Sequence, residues 1–374
     1  MKIHFNEIKD SILSIKVDKR NDVFNWGLDN QFPSLIETLI NMSVTSSICV
    51  SKVAKATYGK GFGAIGKKIV NKDGQTLNEV LRIASREYSK HNNLYIHVSY
   101  NLLFEITSIK VIPNTQSRVG KSDDLGYSGK IITADWELKP KTEELKVYNK
   151  FNPIQKVIEA QIEASKGITG YKGQIIHIQK DSNSIYSLSD LNPVLGECIT
   201  EADAQEFRKH GIGNGFLQNK LITIQPFGNE DDRRAFVNSI KDMRGAKGTK
   251  RPMILEASTM TDNLSNQIKV DDFTSDSDDT IFEYSEAQAR KNIALAFGVP
   301  LGLIDVSESS LFGNSGELIK QMKIQLWEDK EEERDQLEEL FQKLMDNFHQ
   351  PIEGELKIIS PFESEPDSTQ IITE

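Results

Sequence analysis

Hydrophobic residues follow two different spacings along the first half of the chain. They recur every three or four positions from about 34, over 45–59 and over 76–90, which predicts three helices. Alternating apolar and polar residues predict strands in the remainder. These predicted strands lie in the opening 1–20 and at 95–100, 103–106, 109–112, 130–136, 145–148 and 174–179. Helices and strands of this kind predict an α+β domain over roughly the first 190 residues.

The second half has longer helical patterns. A helix is predicted from 194 to 210, closed by Gly211 and Gly213. A strand, a short helix and a second strand are predicted at 217–225, 229–241 and 252–256, forming a β-α-β insert. A further helix over 276–297 ends at Gly298 and Pro300, and a loop is expected to follow it. One long helix is predicted over 317–347, with a polar tail beyond it. The second half of this helix should present one apolar face, formed by Leu337, Leu340, Phe341, Leu344, Met345 and Phe348.

Charge is divided unevenly between the two halves. The net charge is −10, but residues 1–180 carry +8 and residues 181–374 carry −18. A chain with this balance is not expected to grip nucleic acid through its phosphates. The acidic second half is either a solvated helical surface or a surface whose negative charge has a function.

Cysteine and histidine give no metal-site or disulfide pattern. Cys49 and Cys198 stand alone without a Cys-x-x-Cys, and no two of the six histidines share a metal-ligand spacing. No metal or cofactor is therefore predicted, and a reducing compartment is expected. The opening residues mix charges with single apolar residues, so no signal peptide is expected, and no apolar run is long enough for a membrane span.

A glycine-rich turn at Gly61–Lys68 imitates a nucleotide-binding loop. Its residues match the G-x-G-x-x-G pattern and most of the P-loop pattern. However, Lys68 stands where the P-loop requires a hydroxyl that binds Mg²⁺. A helix is predicted before the turn, whereas both nucleotide motifs follow a buried strand. The favoured interpretation is a turn leaving a helix, with a nucleotide-binding enzyme that uses Gly61–Lys67 as a less favoured alternative.

Two charged clusters offer further candidate sites. Carboxylates gathered between Asp271 and Asp279 are interpreted as the cap and first turn of the next helix, with a cation site as the alternative. Basic residues crowd the β-α-β insert and are either solvated or in contact with an acidic protein or DNA. The candidate contact residues are Arg233, Arg234, Lys241, Arg244 and Lys247.

Several short segments stand in a distinctive order along the chain. Asp29–Pro33 and Gly59–Phe62 come first, an aromatic-rich stretch then ends in Asn214-Gly215, and Ile293–Pro300 and Leu311–Asn314 follow. In this order they resemble segments of the portal proteins of tailed bacteriophages, whose Ile-Ala-x-x-Phe-Gly-Val-Pro is close to Ile293–Pro300. The resemblance covers about residues 22–348. The chain departs from the family at Leu301, often a second proline there, and by its shortness after Asn347.

The resemblance implies a portal architecture and a ring. It implies a wing over 1–193, stem helices over 194–216 and 273–297, a clip over 217–272, a tunnel loop over 298–316, and a long helix with a small or absent crown over 317–374. The ring would be a dodecamer at one capsid vertex. Double-stranded DNA would pass through it during packaging and ejection without sequence readout.

The implied partners are further copies of the chain, the terminase large subunit, a head–tail adaptor, and the major capsid protein or scaffold. Neither a membrane partner nor an enzymatic activity is expected. The implied location is the virion, with host cytoplasm during assembly. The tunnel loop would place a set of small polar and acidic residues against DNA, namely Asp305, Ser307, Glu308, Ser309, Ser310 and Asn314. Another head–tail connector or adaptor remains the alternative within the same class.

Overall fold

The computed structural model describes most of the chain. It covers residues 16–181, 183–214, 220–224, 229–231, 233–235, 238, 253–256, 268–272, 276–305 and 315–362. Within these ranges, residues 207, 210–214, 220–224, 253–256, 268–272, 276–283 and 315 are described by their backbone. The predicted α+β composition is confirmed, because helices alternate with strands of three separate sheets. None of the described helices is both long and apolar enough to cross a membrane.

Three helices open the described chain, close to the predicted positions. After a two-residue hairpin of β1 (Val17–Asp18) and β2 (Val23–Phe24) come α1 (Phe32–Met42), α2 (Val44–Tyr58) and α3 (Leu77–His91). The Ser43 hydroxyl caps α2 by accepting from the Ser46 N–H at 3.0 Å. A capping box between Thr76 and Glu79 begins α3. These local signals explain why the helix boundaries were predictable.

A six-stranded mixed sheet forms the centre of the larger unit. Its strands are β3 (Asn93–Tyr100), β4 (Ile106–Ile112), β5 (Ser117–Val119), β6 (Lys130–Thr133), β7 (Lys146–Lys150) and β8 (Gln174–Gln179). The spatial order is β4-β3-β8-β7-β6-β5. Neighbours are antiparallel except for β7 and β8, which pair in parallel through Asn149 with Gln174 and Lys150 with Ile175. The helix α4 (Gln155–Ala164) connects those two strands, as parallel pairing requires a crossover.

The main hydrophobic core lies between this sheet, α3 and the last helix of the chain. Its buried members include Leu81 and Tyr88 of α3, Ile96 of β3 and Ile176 of β8. From the helix α8 (Glu331–Asp346) it takes the face predicted from the sequence. That face consists of Leu337, Leu340, Phe341, Leu344 and Met345, and Phe348 follows it in the same core.

The chain divides into two compact units. Residues 1–196 and 292–374 form the larger one, and the continuous segment Glu197–Lys291 forms the smaller one. Two helices cross the boundaries, α5 (Leu195–Asn214) and α6 (Asp276–Phe297). The smaller unit carries β9 (Lys220–Ile224), β10 (Met253–Glu256) and β11 (Ile268–Asp272) in the order β10-β9-β11, with β9 and β10 parallel.

Several elements differ from the sequence predictions. The helix α5 runs through Gly211 and Gly213 to Asn214, so these glycines do not end it. Residues 103–105 form a turn before β4, and 134–136 lie beyond β6. The short elements α4, β5 and β11 were not predicted. β11 contributes a third strand, so the insert is not a simple β-α-β unit.

The predicted single helix over 317–347 is two helices, α7 (Ser315–Glu328) and α8, separated at Asp329-Lys330. At the break, the Trp327 carbonyl accepts from both the Lys330 N–H and the Arg334 guanidinium, whose centre lies 3.6 Å from the Trp327 ring centroid. The backbone there leaves the α-helical hydrogen-bond pattern. Glu331, Glu332 and Glu333 consequently begin α8, where their charge suits the helix N-terminus.

Candidate functional site

The glycine-rich turn is filled by a side chain of the protein itself. Asn78, in the first turn of α3, accepts a hydrogen bond from the Phe62 N–H at 2.9 Å and donates one to the Gly63 carbonyl at 3.2 Å. A Cβ placed on Gly61 or Gly66 would overlap the Asn78 amide. These two glycines are therefore explained by the close approach of Asn78.

The C-terminal segment covers the same turn from another side. The Lys60 N–H donates to the Ile359 carbonyl at 2.9 Å, and the Ile359 N–H donates to the Gly61 carbonyl at the same distance. The Lys68 ammonium donates to the Gln350 carbonyl and lies 5.5 Å from the Phe348 ring centroid. As predicted, a helix precedes the turn. The structure gives the turn a packing role, which removes the basis of the nucleotide-binding alternative.

The Phe-Gly-Val-Pro segment forms a helix C-terminus with a defined geometry. The Gly298 N–H donates to the Leu295 carbonyl and the Val299 N–H to the Ala294 carbonyl, the two bonds of a Schellman motif. Gly298 has φ of 67°, a left-handed conformation that favours glycine. Phe297 and Val299 on either side are buried, at 1% and 4% exposure. Pro300 then prevents the helix from continuing.

The candidate tunnel loop is described over 298–305 and at its last two residues, 315 and 316, which already belong to α7. Leu301–Leu303 form a short 3₁₀ turn, and the Asp305 N–H donates to the Leu301 carbonyl at 2.9 Å. Gly302 lies against Met322 of α7, so this end of the segment packs on the following helix. The other candidate residues lie outside the described residues, namely Ser307, Glu308, Ser309, Ser310 and Asn314.

The candidate clip contacts are described in part. Arg233 and Arg234 are exposed and form ion pairs with Glu230, at 3.2 and 3.8 Å. Lys241, Arg244 and Lys247 lie outside the described residues. The carboxylate cluster proves to be divided between elements. Asp271 and Asp272 belong to β11, paired with Leu221 and Lys220, whereas Asp276 begins α6. The interpretation of all five carboxylates as one helix cap was therefore wrong for Asp271 and Asp272.

A buried arginine that the sequence analysis missed joins the N-terminal segment to the sheet. Arg118 on β5 is fully buried, with its guanidinium 5.8 and 5.4 Å from the ring centroids of Trp26 and Trp136. It donates to the Asn30 side-chain oxygen at 2.5 Å and to the Asn30 carbonyl at 2.6 Å. Burial lowers the pKa of Arg118 to about 10. Asn30 also accepts from the Trp26 N–H, which gives the Asp29–Pro33 segment a structural role.

A second buried cluster joins α1 to α3. The Lys90 ammonium lies 3.0 Å from a Glu37 oxygen and 2.9 Å from a Glu87 oxygen, and His91 Nε2 is 3.6 Å from Glu37. The His91 imidazole, and with it the Lys90 ammonium, hold the pKa of Glu37 at about 2 against the opposing effect of burial. Glu87 and His91 stand four residues apart on one helix, and this spacing was the sign of the cluster that the sequence offered. Lys90 already supplies the positive charge that these carboxylates require.

Comparisons with known proteins give structural similarity without sequence similarity. No family model and no curated protein matches the chain. It matches a chain of the virion of a native gene transfer agent particle with a TM-score of 0.47 and 16% identity, over 75% of this chain and 72% of that one. A chain from the neck of the native particle, computed with C12 symmetry, gives 0.46 and 16% over the same shares.

A solved phage portal protein is also among the matches. The chain is similar to an HK97 family phage portal protein from Corynebacterium diphtheriae, with a TM-score of 0.42 and 8% identity, over 76% of this chain and 82% of that one. These TM-scores are all below 0.5, so the functional argument depends on the residues of this chain.

Proposed function

We propose that this chain is the subunit of a phage portal, a ring through which double-stranded DNA enters and leaves the capsid. The observation that carries the proposal is the helix end at Ala294–Pro300. It combines a portal-like sequence with the Schellman geometry and buried flanking residues described above. This segment stands in the chain after an inserted unit and before the last helices, which is the order that the resemblance implies.

The smaller unit supports a stem and a clip. Its chain is continuous, and the two helices α5 and α6 lead into and out of it. Within that unit, Arg208 of α5 forms an ion pair with Glu286 of α6. We assign α5 and α6 to the stem and β9, β10 and β11 to the clip.

The charge distribution suits a channel that does not hold its cargo. Residues 181–374 carry −18, so a passage formed by them would repel phosphates. Basic walls would bind DNA with release of counterions and would slow its movement. The proposed tunnel loop contains neither Lys nor Arg between Gly298 and Gly316.

The partners and the location belong to the same proposal. The subunits would form a dodecamer at a capsid vertex, in contact with major capsid protein or scaffold. The clip would bind the terminase large subunit during packaging and a head–tail adaptor afterwards, with Arg233 and Arg234 among its contacts. Assembly would take place in the host cytoplasm.

Native mass measurement of the full chain tests the ring. We expect about twelve or thirteen subunits in a closed assembly. Closed rings of one chain use heterologous contacts, in which each copy presents one surface to one neighbour and a different surface to the other. A monomer or dimer at all protein concentrations would contradict the proposal.

A change in the tunnel loop tests the channel. Ser307, Ser309 and Ser310 changed together to Lys should leave the ring assembled and slow DNA packaging, with a smaller defect at higher salt because the added attraction is screened. The matched control changes the exposed Thr142, Gln155 and Thr169 to Lys, which adds the same charge outside the loop, and packaging should stay normal. Wild-type packaging by the Lys variant at low salt would exclude this segment from the channel wall.

A further inference from the structure

A groove between α2 and α3 gathers positive charge. It has a volume of about 370 Å³ and is lined by Ser51, Ala54, Lys55, Tyr58, Gly59, Arg82 and Arg86. Lys55, Arg82 and Arg86 are all exposed. Lys52 stands beside them, and its pKa is lowered by burial and by the charges of Lys55 and Lys323. The chain therefore brings at least four cations close together; we call this the basic groove.

The Glu79 carboxylate interacts electrostatically with Arg82, but the cations of the basic groove form no close ion pair in the described part of the chain. Across the described residues, no salt bridge includes Lys52, Lys55, Arg82 or Arg86. Arg82 donates to the Tyr58 hydroxyl at 3.3 Å and lies over its ring, which orients the guanidinium without neutralising it. Like charges four residues apart, such as Arg82 and Arg86, disfavour a helix slightly. An acidic partner would reverse that effect.

The same compact unit carries an exposed acidic stripe on α8, of which Asp335 also interacts electrostatically with Arg334. Asp335 and Glu339 are exposed, stand four residues apart and form no salt bridge in the described part of the chain. Glu331 and Glu332 stand before them and are accounted for by the positive helix N-terminus. Because that effect fades within the first turn, it does not account for Asp335 and Glu339. We call Asp335 and Glu339 the acidic stripe.

The basic groove and the acidic stripe carry opposite charges, and their charged residues have the same spacing along a helix. Four residues along a helix correspond to about 6 Å, so Arg82 and Arg86 are spaced as Asp335 and Glu339 are. We propose that the basic groove of one copy receives the acidic stripe of the next copy, as one contact of the ring. The inference rests on the proposed function, because a closed ring requires two different and complementary surfaces on each copy.

A charge exchange between the two surfaces tests the pairing. One variant carries Arg82→Glu and Arg86→Glu, a second carries Asp335→Lys and Glu339→Lys, and a third combines all four. Each double variant should raise the protein concentration needed for half-maximal ring assembly by roughly tenfold or more at low salt. The combined variant should return it close to the wild-type value, because opposite charges face each other again. Native mass and light scattering measure the assembled fraction.

Controls separate this contact from folding and from general charge effects. Arg86→Glu alone keeps the Arg82–Tyr58 contact and should still weaken assembly, while circular dichroism shows an unchanged fold. Glu159→Lys with Glu163→Lys places the same charge change, at the same spacing, on the exposed side of α4 and should assemble as the wild type does.

Each contrary result has a distinct meaning. The pairing would be overturned if both double variants assembled as the wild type does. It would also be overturned if the control pair assembled as poorly as the double variants, or if the combined variant still assembled weakly. Basic-groove variants that assemble normally but lose affinity for double-stranded DNA or heparin would assign the groove to a polyanion instead. A wild-type chain that forms no ring would remove the proposed function itself.

Discussion

Changing Gly66 to Ala tests directly whether the glycine-rich turn is a packing feature. Gly66 does not have a positive φ, so alanine meets no backbone strain there, and its whole effect comes from the overlap of the new Cβ with the Asn78 amide. That amide makes two hydrogen bonds across the turn, to the Phe62 N–H and the Gly63 carbonyl. Displacing it would lose both bonds.

The magnitude follows from these contacts. Two hydrogen bonds at about 1 kcal/mol each, together with about 1–2 kcal/mol for overpacking, predict a loss of about 3–4 kcal/mol in the free energy of unfolding. Asn78→Ala alone should cost about 2 kcal/mol. In the Asn78→Ala background the same Gly66→Ala change should cost less than about 1 kcal/mol, because the side chain that it would overlap is gone. The coupling in this double-mutant cycle is then about 2–4 kcal/mol.

Urea unfolding of the four proteins, followed by tryptophan fluorescence and by circular dichroism, gives the free energies. Additive losses for Gly66→Ala and Asn78→Ala would refute the packing account. So would a wild-type chain whose unfolding midpoint rises with MgATP and falls back with Lys67→Ala, because a ligand that binds the folded state stabilises it.

The remaining predictions concern the helix end, the buried carboxylate and the clip. Gly298→Ala should cost about 1–2 kcal/mol of unfolding free energy from its left-handed φ alone, since nothing lies within 4 Å of the added Cβ, and Gly298→Asn should cost less; equal losses from both would contradict this. The pKa of Glu37 is held at about 2 in the folded chain, so its stabilisation is present above pH 4.5 and is lost as the pH falls from 4.5 towards 2. Urea midpoints at pH 6 and pH 3 should therefore differ by less in Glu37→Gln than in the wild type, and an unchanged difference would refute the assignment. Arg233, Arg234 and Arg244 changed to Glu should leave the ring intact and slow terminase or adaptor binding most at low salt, measured by surface plasmon resonance; an unchanged association rate would exclude this surface.

The sequence predicted best where local signals and burial agree. Thr76 and Glu79 have the capping-box spacing that indicates the start of α3. The apolar face from Leu337 to Met345 is buried, as its spacing predicts. Strand β8 coincides with its predicted range because its three isoleucines lie between polar ends and a turn precedes it. The Phe-Gly-Val-Pro segment also has a purely local explanation, as a Schellman motif followed by proline.

Tertiary contacts decided what the sequence could not show. The break at Asp329-Lys330 depends on Arg334 and Trp327 meeting beside α2, a contact that the residue types alone do not predict. Arg118 is charged, so its residue type predicts exposure, and its burial depends on carbonyls and rings from three separate segments. The short strands β5 and β11 form because each pairs with a neighbouring strand at the edge of its sheet.

The two candidate sites illustrate the same limit. The rejection of Gly61–Lys67 as a nucleotide loop was predictable from Lys68 and the preceding helix, but the role of Asn78 was not, since sixteen residues separate it from Phe62. The basic groove was likewise not predictable, because Lys55 and Arg82 come together through the packing of α2 on α3.

Electron microscopy of the purified full-length chain tests the central claim most directly. Top views averaged without imposed symmetry should show a ring of about twelve or thirteen copies around an open channel wide enough to pass a DNA duplex. Side views should show a narrow end that is absent when residues 217–272 are replaced by a short glycine-serine linker. A closed particle without a central channel, or a monodisperse monomer at high protein concentration, would contradict the account.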